Sequence, residues 1–240
     1  MEIVIDAGNT RVKVYFFLEK KIVRTSVFNY SEMDFLIQAV AEFPDAPIIL
    51  SDVSGAIPSD SLRKERSRIF MCTISLDLPI QIEYQTKKTL GFDRVAAAVG
   101  AVSIRPDSHK IIIDAGTALT IDYVDDTNTF KGGIISPGMA IRFSSLHEKT
   151  GKLPLFSPSD QINLFGTSTQ EAIQYGVIQG MVFEISQYIA SYSTIFPDID
   201  VFLCGGDCFF FEKMLKKTIF AEPNLNALGL HSIYNYNVTT

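Results

Sequence analysis

The sequence predicts an α/β fold made of two duplicated halves, each with a mixed β-sheet flanked by helices. Two observations support this. The hexapeptide IVIDAG at residues 3–8 returns as IIIDAG at residues 111–116, and each copy is followed by the same order of strands and helices. A turn does not require an identical apolar run before it, so the repeat indicates duplication of a whole structural unit. A chain of 240 residues is long enough for two domains of ordinary size.

The first half begins with a predicted antiparallel meander. Residues 2–28 are rich in Val, Ile, Tyr and Phe and are interrupted at Gly8-Asn9 and at 19–21, which predicts three strands joined by turns. Ser31 is predicted to cap a helix with Phe35, Leu36, Val40 and Phe43 on its apolar side. The remaining predicted elements are a strand at 47–50, a helix at 61–68, a strand at 80–84 and a helix at 95–104.

The second half repeats this order after the turn-rich segment 105–108. Strands are predicted at 110–114, 119–124 and 129–135, followed by a helix from about 138 to 149 and a loop at 152–167. Ser168 and Glu171 predict a capping box for a long helix to about 194. A strand at 201–204 and helices from 209 and at 225–234 complete the pattern. We therefore predict domains at 1–107 and 108–240, with a nucleotide cleft between them.

Composition excludes several classes of function. A net charge of −6 without a basic stripe argues against a nucleic-acid partner. No apolar run is long enough to cross a bilayer, so we expect a cytoplasmic protein without membrane contact. The three cysteines, Cys72, Cys204 and Cys208, fit neither a zinc set nor a disulfide framework, and buried thiols are expected.

The two repeated acidic turns, at 6–10 and 114–117, contain the residue types suited to bind phosphate. In each, an apolar strand ends at an aspartate, followed by Ala-Gly and a threonine within two further residues. The glycine is expected to turn with positive φ and to let the backbone approach a ligand, while backbone N–H groups and the threonine hydroxyl suit phosphate oxygens. The aspartate suits a hydrated cation. One such turn alone would more often be an ordinary hairpin turn; two matched copies favour a nucleoside triphosphate site.

Together with other motifs, these turns give a resemblance to a known family. The motifs are DAGNTRVK at 6–13, GFDR at 91–94, DAGTALTID at 114–122, GGIISPG at 132–138, Leu153-Pro154, GTST at 166–169 and LCGGD at 203–207. In this order they resemble the acetate and sugar kinase, chaperone ATPase and actin superfamily, and more narrowly the type III pantothenate kinases. The resemblance implies two ribonuclease H-like domains.

The resemblance further implies that the first acidic turn wraps the phosphates of ATP. The implied nucleotide-binding residues are Asp6, Ala7, Gly8, Asn9, Thr10, Arg11, Val12 and Lys13, with Thr117 from the second turn. Asp6 is expected to reach a magnesium ion through water, and Lys13 to place a positive charge near the transferring group. Without its flanking motif, Lys13 would be interpreted as an exposed strand lysine.

For the acceptor substrate, the family places its base and part of its binding site at Gly91-Phe92-Asp93-Arg94. Asp93 is expected to accept the proton of the pantothenate hydroxyl, although an aspartate here could also cap a helix. Arg94 is expected to pair with the substrate carboxylate, with a surface salt bridge as the alternative. The implied substrate-binding residues are Tyr84, Gly91, Phe92, Asp93, Arg94 and Thr169, the last of which could instead pack in the first turn of its helix.

The remaining implied sites lie in the second half. Asp114 is expected to bind a monovalent cation, K⁺ or NH₄⁺, although the sequence itself does not distinguish that ion from Mg²⁺. Gly205-Gly206-Asp207 is expected to hold adenosine, with a tight strand-to-helix turn as the alternative. His147 falls where relatives form a dimer contact, with a surface or packed histidine as the alternative. A homodimer is expected.

Phosphorylation of pantothenate by ATP, the first step toward coenzyme A, is therefore the function that the resemblance implies. One alternative is a kinase or exopolyphosphatase of the same superfamily with another small substrate. A second is a nucleotide-binding regulatory or accessory protein that has lost transfer activity. Asp6, Asp93 and Asp114 together argue against the second, because a binding-only protein needs no base.

Overall fold

The computed structural model describes residues 1–57, 69–215 and 218–239. Its contacts divide the chain into two compact units. Unit 1 contains Met1–Pro106 and Asn224–Thr240, and unit 2 contains Asp107–Pro223. The helix predicted at 61–68 lies outside the described residues.

Unit 1 is built on the predicted meander. Its strands are β1 (Glu2–Ala7), β2 (Val12–Leu18), β3 (Lys21–Phe28), β4 (Ile48–Asp52) and β5 (Ile69–Met71), with a two-residue strand β6 (Gln81–Ile82) further along the chain. The first three pair antiparallel, while β4 lies parallel to β1 and β5 parallel to β4, in the sheet order β3-β2-β1-β4-β5. The turn between β2 and β3 places Glu19 and Lys20 at φ 49° and 66°, the left-handed geometry of tight hairpins.

The helices of unit 1 differ from the prediction in two respects. Helix α1 (Met33–Ala41) follows a single 3₁₀ turn at Tyr30–Glu32, and α2 spans Phe92–Ile104. The capping box consists of Asn29 and Glu32, whose carboxylate accepts the Asn29 backbone N–H at 2.7 Å. The expectation that Ser31 is the cap is therefore wrong. Phe35 is 62% exposed, so its predicted place on the apolar side is wrong, whereas Leu36 and Val40 are buried as predicted.

The C-terminal helix α6 (Leu225–Thr239) belongs to unit 1. It packs on α2 with the backbones in contact: a Cβ atom placed on Gly229 would lie 1.8 Å from the Ala96 carbonyl oxygen, and one on Gly100 would lie 2.3 Å from the Leu225 carbonyl oxygen. The division after residue 107 placed this segment in the second domain. That assignment needs correction, because the small residues of α2 create a groove that α6 fills.

Unit 2 repeats the strand pattern. Its strands are β7 (Lys110–Ala115), β8 (Ala118–Val124), β9 (Thr129–Pro137), β10 (Asp200–Cys204) and β11 (Phe220–Ala221). The antiparallel meander β7-β8-β9 is followed by β10 parallel to β7 and β11 parallel to β10. The resulting order β9-β8-β7-β10-β11 is that of unit 1, so the predicted duplication is confirmed. This order is that of the ribonuclease H-like fold.

The helices of unit 2 are α3 (Met139–Lys149), α4 (Thr169–Ile195) and α5 (Cys208–Glu212). Ser168 caps α4 as predicted, since its hydroxyl accepts the Glu171 N–H at 3.2 Å. One face of the β7-β8-β10 sheet, with Ile111, Ile113 and Leu203, packs against the long helix through Ile178, Met181 and Ile185. No helix among the described residues is long and apolar enough to span a membrane.

Candidate active site

The first acidic turn joins β1 to β2. Ala7 pairs with Val12, and the N–H of Gly8 donates to the Arg11 carbonyl at 3.1 Å, so four residues form the connection. Asn9, Thr10 and Arg11 are exposed at its tip, whereas Val12 is buried and can offer a ligand only its backbone. Gly8 does not adopt positive φ. The expectation of positive φ is wrong here, because the four-residue connection closes without a left-handed residue.

Asp6 and Lys13 are direct cross-strand partners in this hairpin. Directly opposite residues of an antiparallel pair point to the same face, so the carboxylate and the ammonium group are neighbours. Burial raises the pKa of Asp6 to about 6; Lys13 opposes this shift and the negative charge of Asp93 adds to it. The structure thus places Asp6, Lys13 and Asp93 in one electrostatic cluster within unit 1.

The raised pKa of Asp6 predicts a pH effect on stability. Between about pH 4 and pH 6 the Asp6 carboxyl group is ionised in the unfolded chain but still protonated in the folded chain. Its contribution therefore lowers the free energy of unfolding as pH rises, by about 3 kcal/mol in total. Denaturant unfolding should be measured for the wild type and Asp6→Asn at pH 4 and pH 7. We expect the wild type to lose about this much relative to the variant. Asp45→Asn, at an exposed position of the same unit, controls for loss of a carboxylate, and a pH-independent difference for Asp6→Asn would contradict the prediction.

Asp93 is the second residue of α2. Its Oδ1 accepts the N–H of Arg94 at 2.9 Å, and Gly91, not Asp93, is the N-cap residue. A Cβ atom placed on Gly91 would lie 2.5 Å from Asp93 Oδ1. The glycine therefore makes room for the carboxylate, which is only partly buried. This position leaves it able to reach a substrate hydroxyl.

Arg94 and Tyr84 lie together in the same unit. The guanidinium carbon of Arg94 is 5.8 Å from the centre of the Tyr84 ring, within cation–π range. Arg94 is buried, at 7% exposure, so the surface salt bridge considered from sequence does not describe it. A guanidinium held beside an aromatic ring presents its planar pair of N–H donors in a fixed direction, the geometry that pairs with a carboxylate.

The second acidic turn joins β7 to β8 and is one residue shorter. Ala115 pairs with Leu119, and the Gly116 N–H donates to the Ala118 carbonyl at 3.0 Å. The shorter connection places Thr120, not a lysine, opposite Asp114. Gly116 lacks positive φ, against expectation, and serves instead to admit the carboxylate, since a Cβ there would lie 3.1 Å from Asp114 Oδ1.

The turn after β10 packs directly on Asp114. Cys204 pairs with Asp114 in the sheet, and the next residue, Gly205, has φ +91°. A Cβ atom on Gly205 would lie 2.4 Å from both Asp114 Oδ1 and the Ala115 carbonyl oxygen. Asp207 donates its N–H to that same carbonyl at 2.9 Å, and burial raises the pKa of its carboxyl group. This segment is therefore part of the second acidic turn as well as a strand-to-helix connection.

Thr169 and His147 lie elsewhere in unit 2. Thr169 is exposed and lines an apolar groove of about 670 Å³ between α3 and α4. The exposed His147 shares a hydrogen bond of 2.7 Å with the Leu153 carbonyl, so it holds the following loop. The groove is lined by Pro137, Ile141, Arg142, Ser145, Leu146, Leu153, Thr169, Ala172, Ile173, Gly176 and Val177.

The cysteines are buried thiols, as expected. Burial, together with the negative charge of Asp6, raises the pKa of Cys72 to about 12, so this thiol stays protonated beside the first acidic turn. Among the described residues, no group of three or more His, Cys, Asp or Glu side chains is arranged to hold a metal ion.

Sequence reasoning missed Tyr30. Its hydroxyl lies 2.5 Å from the Gly8 carbonyl oxygen and 2.8 Å from Ser54 Oγ. No sequence motif marks this residue, because its partner, the Gly8 carbonyl, lies far from it in sequence. The two meet only where the segment after β3 packs beside the first acidic turn. Ser54, beside this hydroxyl, and Asp52, which accepts the Ser54 hydroxyl proton, belong to no sequence motif either.

Comparison with known structures shows which fold this chain has. A putative Baf family transcriptional activator from Campylobacter jejuni is 22% identical with a TM-score of 0.67, over 99% of this chain and 100% of that one. A putative 2-dehydro-3-deoxygalactonokinase from Sinorhizobium meliloti is 11% identical with a TM-score of 0.59, over 98% and 99%. The duplicated fold is therefore that of the sugar kinase and actin class.

Sequence comparison gives the family. The profile described as Type III pantothenate kinase matches residues 2–191. Proteins of that name from Flavobacterium psychrophilum and Cytophaga hutchinsonii are 35% and 38% identical to this chain, covering 98% and 99% of it and 99% and 100% of their own lengths. The chain belongs to the type III pantothenate kinase family.

Proposed function

We propose that the protein transfers the γ-phosphoryl group of ATP to the terminal hydroxyl of pantothenate, giving 4'-phosphopantothenate and ADP, the first step of coenzyme A synthesis. The observation that carries the proposal is the cluster of Asp6, Lys13 and Asp93. It combines a carboxylate, a cation for phosphate charge and a second carboxylate able to take a proton. Membership of a kinase family supports the same activity.

In the proposed reaction, the hydroxyl oxygen of pantothenate attacks the γ-phosphorus as the bond to ADP breaks. Asp93 accepts the hydroxyl proton, and Lys13 stabilises negative charge on the transferring group. Phosphoryl transfer needs mainly positioning and charge stabilisation. The exposed tip of the first acidic turn, residues 9–11, binds phosphate through backbone N–H groups and the Thr10 hydroxyl.

Two cations belong to the proposal. Mg²⁺, when bound with ATP, neutralises charge on the phosphates, and Asp6 would hold it through water. K⁺ or NH₄⁺ would be held at Asp114, where the donors are oxygens, as hard cations require. The two hairpins fit this division: the lysine opposite Asp6 disfavours a directly bound second cation, whereas Thr120 opposite Asp114 offers another oxygen.

The remaining nucleotide-binding and substrate-binding residues are assigned as the family resemblance implies. We propose that Thr117 contacts the nucleotide phosphates and that Gly205-Gly206-Asp207 receives adenosine. Arg94 would pair with the pantothenate carboxylate, with Tyr84 fixing its guanidinium plane. Thr169 would contact pantothenate, and His147 would lie near a partner subunit.

A homodimer in the cytoplasm completes the proposal. Unit 2 exposes several large apolar side chains, namely Ile141, Leu155, Leu164, Phe165 and Phe183. Exposed apolar side chains of this size support an interface where they adjoin one another. Buried thiols suit a reducing compartment that also supplies ATP.

The direct test is ATP consumption by the purified protein with and without pantothenate, in K⁺, NH₄⁺ or Na⁺. We expect turnover that requires pantothenate and K⁺ or NH₄⁺, one ADP formed per phosphorylated pantothenate, and twice the chain mass by light scattering. Turnover of another small hydroxylated substrate but not of pantothenate would favour a different kinase. ATP binding without any transfer would favour a regulatory protein.

A further inference from the structure

We infer that Tyr30 is a positioning residue for the first acidic turn, and that it sets the direction in which this turn presents its backbone N–H groups to phosphate. The inference rests on the proposed function, because it assumes that residues 6–13 hold the phosphates of ATP. It concerns a residue outside every motif of the family resemblance.

The Tyr30 hydroxyl is anchored by the body of unit 1. Its ring packs against the core formed by β1, β2 and α1. Ser54 Oγ lies 2.8 Å from the hydroxyl and donates to Asp52 Oδ1 at 2.7 Å. The Asp52 carboxylate also accepts the N–H groups of Ser54, Gly55 and Ile57 at 2.8–3.1 Å. A tyrosine hydroxyl carries one proton. With that proton donated to Gly8 and the Ser54 proton donated to Asp52, Ser54 is only a neighbour of the hydroxyl, and the packed ring holds the hydroxyl in place independently of the turn.

From this position the hydroxyl donates to the Gly8 carbonyl at 2.5 Å. A peptide group is planar and trans, so its C=O and N–H point in opposite directions. Holding the Gly8 carbonyl toward the core therefore directs the Asn9 N–H away from it, at the exposed tip of the turn. The same bond removes a partial negative charge from the face that would receive phosphate, where a carbonyl oxygen would repel the anion.

Unit 2 restrains a carbonyl of its acidic turn by different chemistry. The N–H of Gly138 donates to the Thr117 carbonyl at 3.2 Å, which directs the Ala118 N–H the opposite way. Tyr30 lies two residues after Phe28, the β3 partner of Val12. Gly138 likewise lies two residues after Ser136, the β9 partner of Leu119. The backbone approaches so closely at Gly138 that a Cβ there would lie 2.2 Å from the Gly116 carbonyl oxygen. Equivalent positions of the duplicated halves thus each restrain one carbonyl of the neighbouring turn, Gly8 in unit 1 and Thr117, one position further along, in unit 2.

Tyr30→Phe tests the inference, because it keeps the ring and removes only the hydroxyl. We expect the KM for ATP to rise about 5- to 10-fold, as for loss of one hydrogen bond, with the KM for pantothenate changed less than about 2-fold. The affinity for ADP, measured by calorimetry without turnover, should fall by the same factor. Tyr234→Phe is the matched control, since Tyr234 packs on Phe70 in the C-terminal part of unit 1 and should leave both constants unchanged.

Unchanged ATP KM and ADP affinity in Tyr30→Phe would overturn the inference. Equal losses for ATP and pantothenate would also overturn it, since they would indicate general loosening of unit 1. If the wild type binds ADP but does not phosphorylate pantothenate, the proposed function fails while the ADP comparison still decides the role of Tyr30.

Discussion

Replacement of Asp93 by Asn is expected to lower kcat for pantothenate phosphorylation by about 10²- to 10⁴-fold, the usual contribution of a general base. The amide has nearly the same shape, and its oxygen can still accept the N–H of Arg94, but it cannot take a proton from the substrate hydroxyl. The KM for ATP should change little, because the phosphates are assigned to the acidic turns. Steady-state kinetics with both substrates provide the measurement.

Asp34→Asn is the matched control for this variant. Asp34 is the second residue of α1, as Asp93 is of α2, in the same unit. A carboxylate in the first turn stabilises a helix by a few tenths of a kcal/mol through its interaction with the helix dipole. Asp34→Asn removes only this stabilisation and should retain full turnover. If Asp93→Asn also keeps kcat within a few fold of the wild type, Asp93 is not the base. Comparable thermal unfolding of both variants would show that the fold is intact.

Much of the fold was predictable because its strands carry local signals. Alternating Val, Ile and Phe with polar breaks defined both meanders, and the repeated hexapeptide identified equivalent strands β1 and β7. The order of elements then predicted the two matching sheets. These features depend on residues close in sequence, where periodicity and turn chemistry act directly.

The features that sequence missed depend on packing between distant segments. The assignment of α6 to unit 1 arises from Gly100 and Gly229, whose missing side chains let α2 and α6 touch. The stacking of His231 on Phe17 at 4.2 Å and its contact with Glu2 at 3.0 Å add to the same attachment. Such contacts join residues more than 100 positions apart, and no local pattern encodes them.

The candidate site shows the same division. The motif 6–13 indicated a phosphate turn, yet only the register revealed that Lys13 lies opposite Asp6. A single residue fewer in the second connection places Thr120 at the equivalent position beside Asp114. Two nearly identical hexapeptides therefore form chemically different sites, because loop length sets which side chain faces the aspartate.

Gly205→Ala is expected to have the second-largest effect, and it acts through Asp114. Gly205 has φ +91°, a conformation that costs an L-residue about 1–2 kcal/mol. Its added Cβ would lie 2.4 Å from Asp114 Oδ1 and from the Ala115 carbonyl oxygen, so the carboxylate must move. If Asp114 holds the monovalent cation, the K⁺ concentration for half-maximal activity should rise at least about 10-fold, with a lower kcat.

A readout independent of turnover separates this effect from simple destabilisation. In the wild type, K⁺ should raise Tm relative to tetramethylammonium, because a ligand that binds only the folded state stabilises it. Gly205→Ala should lower Tm and abolish the K⁺-dependent increase. Gly151→Ala, where a Cβ meets open space, should keep both. A contrary result would be a lower Tm for Gly205→Ala together with an unchanged K⁺-dependent rise in Tm and an unchanged half-maximal K⁺ concentration. It would show that the turn supports the fold without setting the cation site.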